Sequence, residues 1–347
     1  MLQKSILLML LLVSTGIVRD SFCDVSKSGP VMSLSPLTIC KALDTASKTF
    51  GTTSSSFKPS NDQQEAFLSN TFALYRKHVA ENTFQAHELQ SFVSSNVAEL
   101  NKILRERGFS IQLQSFRDVK SLGVVSLQDI LVKWKEKARC QSMQSAGQEY
   151  ASFFLPKKTN GITFFRRNTQ DQETVIARIE TQTNDIVYCA VRLQDTDKGK
   201  VLVPFFQNSE TVPTDSVVAD AISSLQSTFD KFQRVTNYNG IELPMIHYQN
   251  QPSLEWLKKL EVAPEWFIEQ ALQEVIFKMN EDGARAKAAV ALEVEMKAAP
   301  PMRVVHREPL VVNKPFLLWI ERSGVPAELP LFAAYLHQTY WKIDNAQ

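Results

Sequence analysis

Glycine is scarce, with 11 in 347 residues, less than half the usual share of roughly 7%. That scarcity weighs against a glycine-rich phosphate cradle, and neither a Gly-x-Gly-x-x-Gly nor a Walker-type loop occurs. Cysteine is also sparse. The four residues, Cys23, Cys40, Cys140 and Cys189, have no Cys-x-x-Cys spacing. A disulfide-built scaffold is excluded, and no zinc or redox motif is offered; whether any of Cys40, Cys140 and Cys189 pair stays open. Excess charge is missing too: 38 Lys+Arg against 37 Asp+Glu leaves a formal +1. Charge-driven nucleic-acid binding is therefore excluded as the main role. There is no Gly-x-Ser-x-Gly elbow and no His-Glu-x-x-His, and the five histidines are scattered. No catalytic set, metal site or cofactor is implied, so the expectation is not an enzyme.

Long apolar runs are lacking as well. Residues 6–13 are unbroken apolar, follow Lys4, and precede the small residues Ser14, Thr15 and Gly16. This is the three-part pattern of a secretory leader, too short for a helix that crosses a bilayer, which takes about 20 residues. The expectation is a signal peptide over 1–23, cleaved between about 16 and 23, and a secreted protein with no membrane partner. A hydrophobic content of 44% with 10% aromatic is enough for a packed core in the remaining 24–347. The pattern predicts helices after Ser60 (a Ser60–Gln63 capping box), over 93–104 and over 218–232, and a short one at 253–260. It predicts strands at 174–180, 186–193, 201–206, 275–279, 316–320 and 331–336, and a surface loop at 48–64. Helices and strands mix without a βαβ rhythm, so the fold class is α+β, one domain. Lys133, Lys135, Lys137 and Arg139 read as a solvated helix face rather than a polyanion site.

The most informative stretch is 281–301. Even positions Ala284, Ala286, Ala288, Val290, Leu292, Val294 and Met296 are all apolar. Five of the seven odd positions, Arg285, Lys287, Glu293, Glu295 and Lys297, are charged. A period of two over this length is that of a strand with one buried face. A helix would scatter those charges to every side. Gly283 sits at its start and Pro300-Pro301 just beyond its end, and the prolines block further pairing.

Asn280-Glu281-Asp282-Gly283-Ala284-Arg285-Ala286-Lys287-Ala288-Ala289 resembles the hinge of the serpins. Asn313-Lys314-Pro315 followed by Phe316–Ile320, then Pro330-Leu331-Phe332, resemble the strands beyond the serpin reactive loop. Ser35-Pro36-Leu37-Thr38-Ile39 resembles the serpin helix start beneath the main sheet. The resemblance implies a serpin-like fold, with large mixed and antiparallel sheets, surrounding helices and an exposed reactive loop at about 281–303. It also implies a reactive bond sixteen residues beyond Glu281, at Lys297–Ala298, with Arg303–Val304 as the alternative. A basic residue there suits a trypsin-like serine protease, trapped as a covalent acyl complex by a monomeric inhibitor. After cleavage the loop would insert as an added strand. Its buried face would be Val290, Leu292, Val294 and Met296, roughly 1.5–3 kcal/mol each, and the hinge Glu281, Gly283, Ala284, Ala286 and Ala288 would slide in first. Ser35, Pro36, Thr38 and Gln273 map to the sheet-opening region. Gln273 replaces the usual His there, and the Asn-containing strand motif with its nearby Trp is not evident, 147–154 being the nearest stretch. The alternative implied is a non-inhibitory serpin-like binding or carrier protein that has lost efficient insertion.

Overall fold

The computed structural model describes residues 35–53, 56–116, 123–157, 161–169, 172–197, 199–206, 213–286 and 308–344. The leader expected over 1–23 lies outside them. In chain order come α1 (Pro36–Phe50), α2 (Asp62–Ala66), a π-helical stretch (Phe67–Phe72), α3 (Ala73–His78), β1 (Leu89–Ser94), α4 (Val97–Glu106), β2 (Gly123–Gln128) and β3 (Ile130–Lys133). Then follow β4 (Arg139–Ser145), β5 (Gln148–Pro156), β6 (Ile162–Asn168), β7 (Glu173–Glu180), β8 (Asp185–Thr196), β9 (Gly199–Val203), α5 (Asp215–Ser227) and β10 (Gln233–Val235). The chain continues through β11 (Gly240–Pro244), β12 (Ile246–Asn250), β13 (Glu261–Ala263), β14 (Trp266–Phe267), β15 (Val275–Asn280) and β16 (Gly283–Ala286). It closes with β17 (Leu310–Val311), β18 (Phe316–Arg322) and β19 (Phe332–Leu336). The class is α+β, as expected.

The largest sheet runs β10-β6-β7-β8-β18-β19, with β9 also on β8. β18 explains its own sequence. All five of Phe316–Ile320 are buried because both faces of the strand are covered. Phe316, Leu318 and Ile320 face the main core, while Leu317 and Trp319 face α5 through Val218 and Ile222. Continuous apolarity, not alternation, is what such a strand needs. A second sheet runs β17-β11-β5-β4, and a third runs β12-β15-β16-β3, antiparallel throughout.

Local expectations are mostly met, with shifts. α1 starts with Pro at its first turn and buries Leu37, Cys40 and Leu43 at helical spacing. It runs to Phe50, where Gly51 at φ 63° supplies the left-handed cap. The loop expected from residue 48 is thus shorter. The capping box falls one residue later than Ser60–Gln63: Asn61 Oδ1 accepts from Gln64 N at 2.9 Å, and Gln64 Oε1 accepts from Ser60 N at 2.7 Å. α5 stops at Ser227, Phe229 lies in a 3-10 turn and Phe232 follows it, because aromatic packing of Phe229 on Tyr188 and Phe165 draws the chain off the helix axis. The expected helix at 253–260 is only a 3-10 turn at Glu255–Leu257. The basic cluster is not a helix face: Lys133 ends β3 and Arg139 begins β4. Residues 147–154 lie almost wholly in β5, in a different sheet from β3.

Candidate functional site

The site grows from the hairpin Asn280-Glu281-Asp282-Gly283. Asn280 Oδ1 accepts from the amides of Asp282 and Gly283, at 3.2 and 3.3 Å. That turn brings β16 back between two strands. It pairs with β15 through Lys278↔Arg285, Met279↔Ala284 and Asn280↔Gly283. On its other edge it pairs with β3 from Gly283↔Lys133 to Ala286↔Ile130. A Cβ on Gly283 would lie 2.0 Å from Val132 O, so only glycine fits where the two backbones meet. Ala284 is 1% exposed and Arg285 half-buried, which is the period-two pattern as far as the described residues carry it. Arg285 Nε and Nη2 each donate to the Asp129 carboxylate at 3.1 Å. Sequence reading set Arg285 on an outward face, and it is there, but anchored. Ala288, Val290, Leu292, Val294, Met296, Lys297, Ala298, Arg303 and Val304 lie outside the described residues.

Trp134, which the sequence reading did not single out as a site residue, packs against the hairpin. It follows β3, is 3% exposed, and donates Nε1–H to Asn280 O at 2.9 Å. Its ring stacks against Phe153 at 5.9 Å. The signal was the run Ile130-Leu131-Val132 ahead of Lys133-Trp134; it alternates buried and exposed as a strand does, and was obscured by reading the lysines as a helix face.

The residues expected at the sheet-opening region do meet. Gln273 Nε2 donates to Ser35 O at 3.0 Å and to Thr38 Oγ1 at 2.9 Å, and Thr38 Oγ1 donates to Ser35 O at 3.2 Å. Pro36 sits beside them at the start of α1. Gln273 is 8% exposed, so its amide joins α1 to the segment that leads into β15.

Below β16 the sheet does not close. β2 and residues 269–274 have no strand pairing between them among the described residues. Instead they wall a cavity of about 680 Å³, floored by Ile39, Ala42, Leu43 and Ala46 of α1. Residues 109–116 bridge its two sides. Asn101 of α4 exchanges two hydrogen bonds with Leu113, at 2.9 and 2.8 Å. Across the cavity, the Glu274 carboxylate accepts from Ser110 N at 2.6 Å, Ser110 Oγ at 2.8 Å and Ile111 N at 3.0 Å. Gln270 and Gln114 pair reciprocally at 2.8 and 3.0 Å. Burial pushes the Glu274 carboxyl up, but the hydrogen bonds from Gln249, Ile111 and Ser110 outweigh it and hold it below the usual carboxylate range. Nothing in the sequence pattern announced this bridge, because its partners across the cavity, Ser110 with Glu274 and Gln114 with Gln270, lie more than 150 residues apart.

Among the described residues there is no group of three or more His, Cys, Asp or Glu that could hold a metal ion. Cys40, Cys140 and Cys189 are free thiols. No helix among the described residues is long and apolar enough to cross a membrane.

No protein-family model matches the sequence, and no curated protein does either. Solved structures similar to it include human thyroxine-binding globulin complexed with thyroxine, 12% identical over 89% of this chain and 91% of that chain, TM-score 0.48. Tengpin, a thermophilic serpin in its native state, is 11% identical over 86% of each chain, TM-score 0.44. Mouse protein Z-dependent protease inhibitor is 9% identical over 86% of this chain and 88% of that chain, TM-score 0.49. The similarity is one of fold.

Proposed function

We propose that this chain is a secreted, single-domain, serpin-like inhibitor that acts as a suicide substrate of a trypsin-like serine protease. The observation that carries the reading is the hinge: Gly283–Ala286 is already a strand between β15 and β3, with the 680 Å³ cavity beside the next residues of both neighbours. In this reading the protease serine attacks the carbonyl of Lys297, or of Arg303 in the alternative. The cleaved segment then extends β16 past Gln128–Gly123 on one side and Ile276–Gln270 on the other. Val290, Leu292, Val294 and Met296 would enter the cavity, and the bridge of 109–116 would have to release. The residues that guide insertion are the small hinge side chains Ala284, Ala286 and Ala288, and Gln273 with Ser35 and Thr38 at the floor.

The test is incubation of the purified protein with trypsin and separation on a denaturing gel. A covalent band near the summed mass is expected, and its loss in Lys297→Ala. Ala286→Arg, which puts a long charge at the end of β16 opposite Ile130, should turn inhibition into simple cleavage. Clean cleavage of the wild type without a complex sinks the inhibitory reading and leaves the non-inhibitory binding protein in its place.

A further inference from the structure

The cavity beside the hinge carries charge of one sign only. Glu265, Glu269 and Glu274 line it, and among the described residues no Lys, Arg or His does. Glu274 is engaged by Ser110, Ile111 and Gln249, but these are neutral donors and leave its charge in place. The other two glutamates stand at the rim. Exposed Glu265, Phe267 and Glu269 alternate with half-buried Trp266 and Ile268, so the three share one side of an extended chain. An aromatic ring, 55% exposed, therefore sits between two carboxylates. On the other side Trp266 packs on Phe50 of α1 with ring centroids 4.6 Å apart, and both rings line the cavity. Deeper in, the lining is aliphatic, with Ile39, Leu43 and Leu257 buried. The mouth favours a cation and the interior an apolar body.

We propose that this cavity binds an amphiphilic organic cation: an elongated apolar molecule ending in an ammonium group. The ammonium is held at the rim by Glu265, Glu269 and the Phe267 ring, and the apolar body lies against Trp266 and the floor of α1. The cavity volume of about 680 Å³ falls within the roughly 300–1,000 Å³ of small-molecule pockets. A cation over an aromatic face is attracted by the ring quadrupole. The carboxylates on either side add Coulomb attraction that no basic neighbour in the wall offsets. The same wall repels an anionic ligand of equal shape. The proposal stands on the cavity itself, independently of protease inhibition.

Three fluorescent probes share one diphenylhexatriene body and differ in charge: the trimethylammonium derivative, the uncharged parent and the propionic acid derivative. Each brightens on leaving water, so binding is read as a rise in emission with quenching of tryptophan. We expect saturable binding of the trimethylammonium probe at one molecule per chain, about tenfold tighter than the parent, with the carboxylate probe weakest. Raising the ionic strength from about 0.05 to about 0.5 M should narrow that gap. Glu265 and Glu269 are exposed, so the double variant Glu265→Gln with Glu269→Gln should fold normally and bring cation and parent within about threefold. Ala42→Phe, which fills the floor, should weaken all three probes. Absence of saturable binding of the cationic probe overturns the proposal. So does equal or tighter binding of the carboxylate probe to the wild type, a comparison that needs no variant to fold. A tenfold gap that survives the double variant overturns the placing of the ammonium at the rim, and unchanged affinities in an Ala42→Phe variant that melts like wild type overturn the placing of the body in the cavity.

Discussion

Gly283 is the position at which a single methyl group should unseat the hinge. An alanine Cβ there would stand 2.0 Å from Val132 O and 3.1 Å from Lys133 Cα, both backbone atoms. Neither can swing aside as a side chain would, so β3 and β16 must separate by about 1 Å to restore ordinary contact. That displacement is large beside the ~4.8 Å spacing of paired strands, and it strains the four-residue pairing with β3. Overpacking of this kind costs about 1–3 kcal/mol; because every close contact is with the β3 backbone, the upper half, about 2–3 kcal/mol, is expected. The readout is local. Arg285 is half-buried and tied to Asp129, so the Arg285–Ala286 bond resists trypsin while β16 is seated. Where reclosing outpaces cutting, cleavage tracks the open population. A shift of 2–3 kcal/mol raises that population about 30- to 150-fold. Limited trypsin digestion with mass spectrometry at that bond should show Gly283→Ala cut faster by this order. Equal cleavage rates at Arg285 in the variant and the wild type would refute the argument that close backbone approach is what reserves this position for glycine.

Arg322 binds Glu88 at 2.8 Å and Asp185 at 2.8 Å, all three largely buried; Arg322→Met leaves two carboxylates facing each other and should cost about 3–5 kcal/mol in denaturant melts. Burial raises the Glu88 carboxyl, but Arg322 outweighs it and holds it below the ordinary range. Its stabilisation is therefore full above the unfolded carboxylate pKa and lost as pH falls through the lower folded value. Glu274, also held low, has the same sign: the melting difference between wild type and Glu274→Gln should shrink from pH 6 toward pH 3, and a constant difference would show that the carboxylate does not hold the bridge. Phe277, fully buried and stacked on Phe332 at 4.1 Å, should cost about 3–5 kcal/mol as Phe277→Ala. Trp134→Phe keeps most of the packing and loses the bond to Asn280 O; a loss of about 1 kcal/mol is expected from chemical denaturation.

Much of the fold was legible where a residue's environment is local. The alternation around Gly283–Arg285 and the double-sided run Phe316–Ile320 both follow from neighbours a few positions away. Ser35, Thr38 and Gln273 could be grouped only through the serpin resemblance, and they do touch. What stayed hidden depends on distant partners. Asp129 gives no sign in sequence that it waits for Arg285, and Glu274 none that it holds Ser110. Lys133–Arg139 was misread because its charges were taken as a helix face although they fall every second residue, the spacing of a strand; Ile130 and Val132 are fully buried and Leu131 is not, in keeping with that period. Shifted ends, as at α1 and α5, arise because caps and aromatic packing, not periodicity, terminate helices.

The sheet order has a consequence for how the chain is born. β8 receives β7 almost at once, but Asp185–Ala190 on its other edge waits for β18, more than a hundred residues downstream. β3 likewise waits for β16. At about 5–20 residues per second of synthesis, these apolar edges stay open on the ribosome for something on the order of ten seconds. Open strand edges pair with whatever strand is near. The growing chain is therefore most exposed to misassembly with its neighbours before Phe316–Arg322 has emerged. Its yield should depend on how far apart nascent chains are kept as much as on the stability of the finished molecule.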